Sequence, residues 1–170
     1  KQAVYDDGRL TMDALVSALD TDYADDEALR HYLMQRVPKW GNDDPEADAL
    51  ARRVADHYCD AVHAQRNTRG GACQAALFTL TAQWTFGVVT GALPDGRKSR
   101  TTLAPGVGAM PGRDKRGVTA HLASVTKLDF TQTPNGAVLD ITLHPSAVAG
   151  EEGRAALVGR RDFTRVQCKS

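Results

Sequence analysis

The sequence predicts an α/β chain, on three observations. Apolar residues recur at helical spacing through the first 65 positions. A period-two pattern occupies residues 77–86, where Phe78, Leu80, Ala82, Trp84 and Phe86 alternate with Thr79, Thr81, Gln83 and Thr85. A glycine-rich stretch without periodicity follows. The expected layout is helical over 1–65, strands and a Gly-rich loop over 72–148, and a helix over 151–163.

Each element has a local reason. Thr11 is placed to cap a first helix, with Asp13 in its first turn and Leu15, Val16 and Leu19 as its apolar stripe. Asp25 or Asp26 opens a second, with Ala28, Leu29, Tyr32 and Leu33 on one face. Pro38 ends it, because the residue before a proline is pushed out of helical angles. Asp44 as cap and Pro45 at the first helical position start a third helix. Its stripe is Ala47, Leu50, Ala51, Val54, Tyr58, Ala61 and Val62. Residues 65–71 are polar and read as a loop. From 91 to 117 glycines 91, 96, 106, 108, 112 and 117, with Pro94, Pro105 and Pro111, interrupt any repeat. So long a loop inside a compact domain is uncommon and often functional. A short helix over 119–128, a turn at Pro134-Asn135-Gly136, a strand over 137–144 and the 151–163 helix complete the reading.

Composition narrows the function classes. With 42% hydrophobic and 25% charged residues the chain has an ordinary globular balance. No apolar run approaches a membrane span, and the first residues do not resemble a signal peptide. The first residue is Lys1 rather than Met, which points to a piece of a longer chain or a processed one. Net charge is zero, yet residues 1–60 carry fourteen acids and seven bases and the remainder the reverse. Acidic helices on one surface and basic loops on another account for this. The bases are scattered, with few aromatics to stack on nucleobases, so no nucleic-acid partner is expected. Cys59, Cys73 and Cys168 are odd in number and form no CxxC pair, which argues against zinc and a disulfide framework and for a reducing, cytoplasmic setting. Cys59 is expected to be buried in its helix.

Several motifs have simple rivals. The loop Gly106-Val107-Gly108-Ala109-Met110-Pro111-Gly112 invites comparison with phosphate-binding loops, but it is neither GxGxxG nor GxxxxGK[ST], and Pro111 removes a donor. Asp43 and Asp44 could serve a metal; helix capping explains them more simply. His31, His57, His63, His121 and His144 form no zinc-hydrolase motif. His144, before Pro145, is a ligand candidate or a structural residue. Ser124 and Ser146 lack a nucleophile elbow.

Four longer segments carry more information. Leu93-Pro94-Asp95-Gly96-Arg97-Lys98 resembles the LPDGR segment of glycyl-radical enzymes of the pyruvate formate-lyase type. Residues 105–110, with Gly112-Arg113-Asp114-Lys115, resemble that family's loop ending in GRDxxG. Ser124-Val125-Thr126-Lys127-Leu128 is similar to its S-V-x-K-L helix, and Trp40-Gly41-Asn42-Asp43-Asp44-Pro45 to its aromatic-G-N-D entry into a helix. Order and gaps agree, and the likeness covers roughly residues 10–160.

The resemblance implies part of a ten-stranded α/β barrel of two antiparallel halves with flanking helices. In such enzymes a glycyl radical, installed by a radical S-adenosylmethionine activase, passes the radical to a loop cysteine, and the thiyl abstracts hydrogen from a small-molecule substrate in a dry interior. The family's G-C-x-E or Cys-Cys segment with the catalytic cysteine and its R-V-x-G-Y radical segment do not occur here. No catalytic residue, metal ligand or bound cofactor is therefore carried over, and the chain alone is expected to be inactive. Truncation or a shifted reading frame would explain the tail after Phe163. Thr79, Gln83, Trp84 and Phe86 are the expected substrate-cavity wall; Asp95, Gly96, Arg97, Gly112, Arg113 and Asp114 are structural loop residues. Arg97 and Arg113 are expected to clamp loop backbone, and the loop to pack near the radical-bearing segment. Implied partners are the rest of the barrel and its glycyl-radical domain, the activase, and further copies in a homo-oligomer. Residues 134–145 resemble the dehydratase and decarboxylase branches more than pyruvate formate-lyase. The alternative is a stand-alone small α/β binding or interaction module, for an anion at the glycine loop or for another ligand.

Overall fold

The computed structural model describes residues 1–142, 149–151, 153 and 155. A π-helical turn at Gln2–Asp6 leads into α1 (Met12–Asp20), α2 (Glu27–Gln35) and the long α3 (Pro45–His63). The starts follow the capping chemistry. Thr11 Oγ1 accepts from Ala14 N–H, Asp26 Oδ1 from Leu29 N–H, and Asp44 Oδ1 from both Glu46 and Ala47 N–H, with Pro45 at N1. Such caps contribute about 1 kcal/mol each. In α1 the buried face is Leu15 and Ala18, while Val16 is turned outward.

Two apolar clusters anchor the chain. Ala3, Leu15, Ala18, Tyr23 and Leu33 form the first, between the N-terminal turn, α1 and α2. Val107, Val125 and Leu128 form the second, with Trp40, Ala55, Leu77, Phe130 and Leu139 packed against it. The second cluster therefore lies between α3, the glycine loop and α5 (Gly117–Val125). Cys59 is buried, and burial pushes its thiol pKa up.

The strand expected over 77–86 is not what forms. Leu77 makes one parallel bridge to Ala137; the chain then turns, and residues 82–89 are the helix α4 (Ala82–Val89). Tertiary packing overrides β-propensity at this point. Gly87 lies against backbone, since a Cβ there would come within 2.5 Å of Thr101 O. On a helix, Gln83, Gly87 and Thr90 share the inner face, whereas a strand would have split them between two faces. The expected strand over 137–144 is likewise reduced, among the described residues, to the pairing around Ala137. There Leu77 N–H donates to Gly136 O, Val138 N–H to Leu77 O, and Val107 N–H to Val138 O. The strand-rich reading of 72–148 is thus corrected to bridges, turns, two α-helices and a 3-10 turn at Phe130–Gln132 over its described part. His144 and Ser146 lie outside the described residues, as does most of the 151–163 helix.

Candidate functional site

The four motif segments, far apart in sequence, meet around the glycine loop. Trp40 Nε1–H donates to Val107 O at 2.9 Å. Gly41 has φ +88°, and a Cβ on it would come within 2.7 Å of Ala109 Cβ, so only glycine lets the two segments touch. Asn42 uses its whole amide: Nδ2 donates to Lys39 O and Arg113 O, and Oδ1 accepts from Lys115 and Arg116 N–H. Asp43 N–H donates to the fully buried Ser124 Oγ at 2.8 Å. Lys127 then bridges two carboxylates, donating to Asp43 Oδ1 and Asp48 Oδ2 at 2.6 Å each. Those two bonds raise the Lys127 pKa, that to Asp43 contributing most. Asp43 and Asp44 thus serve an ion pair and a helix cap.

The loop tip spends its backbone donors internally. Gly106 N–H donates to Thr79 Oγ1, Val107 N–H to Val138 O, Gly108 N–H to Pro105 O and Ala109 N–H to His121 Nε2. A phosphate cradle requires such donors free and convergent. All four are engaged, so this tip is not built to bind an anion.

The Leu93–Lys98 turn is held from both sides. Tyr23, fully buried, donates its hydroxyl to Leu93 O at 2.6 Å, and burial pushes its pKa up to about 12. Arg30 Nε donates to Gly96 O. Ser99 donates from N–H and Oγ to the two Asp22 oxygens, which holds that carboxyl below its ordinary pKa. Arg97 is 2% exposed, and its guanidinium donates to Gly87, Thr90, Gly91, Thr101 and Thr102 carbonyls. Arg113 makes no such clamp among the described residues. Its Nε is buried 3.9 Å from Asp95 Oδ2 without a hydrogen bond. Lys39 lies in the same region and donates to Leu33 O and Val37 O; burial lowers its pKa to about 8. Asp114 lies 3.4 Å from His121 Nδ1, and Gly112 (φ +72°) turns the chain just before it.

The four wall candidates separate. Thr79 lines a groove of about 710 Å³ with Trp40, Leu50, Val54, Tyr58 and Val107, and its hydroxyl donates to Gln83 Oε1. Gln83 O accepts from Leu103 N–H, tying α4 to the loop. Trp84 and Phe86 point outward, 65% and 58% exposed, beside Leu80, Val88 and Val89. Sequence reasoning did not single out Asn42, Ser124 or His121 for the contacts they make. The signal for the first two was present, since each belongs to a recognised motif; for His121 the sequence gave no sign of its partner.

Comparison with known proteins now decides the family. A family profile described as "Pyruvate formate lyase-like" matches residues 1–87, and one described as "Glycine radical" matches residues 103–164. The chain belongs to the pyruvate formate lyase-like family of glycyl-radical enzymes. Trans-4-hydroxy-L-proline dehydratase of Clostridioides difficile is 32% identical over 153 residues, covering 90% of this chain and 19% of that protein. Indoleacetate decarboxylase of Tractidigestivibacter scatoligenes is 38% identical over 136 residues, covering 79% and 15%. The glycerol-bound B12-independent glycerol dehydratase from Clostridium butyricum superposes with a TM-score of 0.89 at 38% identity, covering 99% of this chain and 21% of that one. The chain thus spans about a fifth or less of the length of these glycyl-radical relatives. Its fold is a portion of their ten-stranded α/β barrel with flanking helices. No helix among the described residues is long and apolar enough to cross a membrane.

Proposed function

We propose that this chain forms the glycine-loop portion of a cytoplasmic glycyl-radical enzyme that cleaves a C–O, C–N or C–C bond of a small substrate anaerobically. The observation that carries the reading is the convergence of the motif segments on one loop whose tip amides, Gly106 to Ala109, are all hydrogen-bonded within the chain. Such rigidity suits a wall that must keep water and oxygen from a radical centre supplied elsewhere. Relatives with dehydratase, decarboxylase and formate acetyltransferase activities mark out the reaction class, and the first two fit the likeness of residues 134–145. The remaining barrel, the remainder of its glycyl-radical domain, a radical S-adenosylmethionine activase and a second copy of the enzyme are the proposed partners. Trp84 and Phe86, exposed on α4, are offered as wall residues completed by that remaining polypeptide; Thr79 and Gln83 support the loop behind them. Asp95, Gly96, Arg97, Gly112, Arg113 and Asp114 shape the loop, and the loop is proposed to lie near the radical-bearing segment. The stand-alone anion-binding alternative loses its basis with the four engaged amides.

The test is anaerobic coexpression of the full reading frame with an activase, followed by electron paramagnetic resonance and a substrate panel of glycerol, trans-4-hydroxy-L-proline and indoleacetate. A glycyl radical with turnover of one of these is expected. The isolated 170-residue chain should show neither. Absence of any radical from the activated full-length protein would overturn the reading.

A further inference from the structure

We propose that His121 is a protonation-sensitive latch on the glycine loop, closed when its imidazole is neutral and opened when it becomes imidazolium. The geometry fixes the tautomer. His121 Nε2 accepts from Ala109 N–H at 3.1 Å, in a buried bond, so Nε2 carries no proton. The neutral ring's hydrogen is then on Nδ1, which faces Asp114 Oδ2 at 3.4 Å. A second proton has to enter at Nε2, where it would oppose the Ala109 N–H: two donors head to head, neither with an acceptor. The ring is 5% exposed, and a Cβ on Gly41 or on Gly108 would lie 3.5 Å and 3.7 Å from it. The side chain is buried on a helix, while Ala109 belongs to a loop, so the strain is relieved by moving the loop rather than the ring.

The charged surroundings are few. α5 itself contributes no other ionisable side chain. From the loop, Asp114 is the carboxylate within reach among the described residues, half-exposed, and it favours imidazolium only through a long contact. Arg113, Lys115 and Arg116 flank it in sequence, with their side chains directed to Asp95, Gln35 and the Asn42 carbonyl. From the 40–44 segment Asp43 is engaged by Lys127. Opening would free the loop tip at Ala109, beside the Val107 carbonyl that Trp40 holds, and would thus loosen both clamps on one turn of chain.

The test is hydrogen–deuterium exchange of peptides covering residues 105–116 in the intact enzyme, between about pH 5 and pH 8. After correction for intrinsic exchange, protection of the wild-type loop should fall about tenfold on acidification. His121→Gln, whose amide oxygen can accept from Ala109 without titrating, should stay protected at both pH values. His121→Leu should be exposed at both. A wild-type loop equally protected throughout, or an acid-induced loss that persists in His121→Gln, would overturn the latch. The readout is local exchange rather than turnover, so it can fail while the radical reading stands, and the reverse.

Discussion

Residues 105–116 and helix α4 are near neighbours in sequence, yet their surfaces differ in kind. In the loop nearly every polar group at the tip has a partner within the chain, and Val107, Gly108 and Ala109 are buried. On α4 the inner face is fixed by Gly87 and Gln83, while Trp84, Phe86, Val88 and Val89, with Leu80 just before the helix, stand in solvent. Contiguous exposed apolar side chains of this size mark a surface that ordinarily meets other protein. The outer face of α3, with Leu50, Val54 and Tyr58 exposed, belongs to the same class. The contrast separates what this chain determines alone from what it leaves to its neighbours.

The largest effect should come from freeing the end of α4 from the turn at Thr101 and Thr102 that leads into the loop. Arg97→Met leaves five carbonyls without their donor and should destabilise the enzyme by about 3–5 kcal/mol, read as loss of soluble protein or a lowered urea midpoint. A midpoint within about 0.5 kcal/mol of wild type would show that the clamp contributes nothing. Next, Gly106→Ala places a methyl group on the Val138 carbonyl oxygen at a φ of +51°, and a cost of about 2–4 kcal/mol is expected by the same measurement. Trp84→Ser combined with Val89→Ser tests the other side of the contrast. In the isolated chain it should reduce aggregation, measured by light scattering, whereas in the full-length enzyme it should reduce stability. Equal behaviour in both settings would break the comparison.

Smaller effects are expected from the two titrating groups at the LPDGR turn. Asp22 has a lowered folded-state pKa, so its contribution is present above its unfolded value near 4 and is lost as pH falls through the folded value. Asp22→Asn should flatten stability against pH on the acid side. Lys39 titrates at about 8 when folded, below its unfolded value. The unfolded chain then holds the extra proton between about pH 8 and pH 10.4, and stability should rise with pH across that window. Lys39→Met should remove the rise while leaving the acid limb unchanged.

The N-terminal helices were legible because their signals are local. Thr11 and the Asp44-Pro45 pair act on the next turn of backbone and begin the helices they predict, and of Asp25 and Asp26 it is Asp26 that caps the second. The family motifs were legible as strings, and the structure supplies the contacts between them. Residues 77–86 misled because alternation and β-branching report a propensity, whereas α4 is dictated by Gly87 lying against Thr101 and by Arg97 holding its C-terminal carbonyls. Neither cause can be read from the ten residues themselves. Ser124 and His121 illustrate the same limit at the site. Their partners, Asp43 and Ala109, lie 81 and 12 positions away.

The single guanidinium of Arg97 has a mechanical consequence. The end of α4 and the backbone at Thr101 and Thr102 terminate on the same cationic head. Sliding one past the other would strand a charge away from water. Helix and turn must therefore travel as one rigid piece, with any pivot falling outside them, at the left-handed Leu80 (φ 48°) or beyond Leu103.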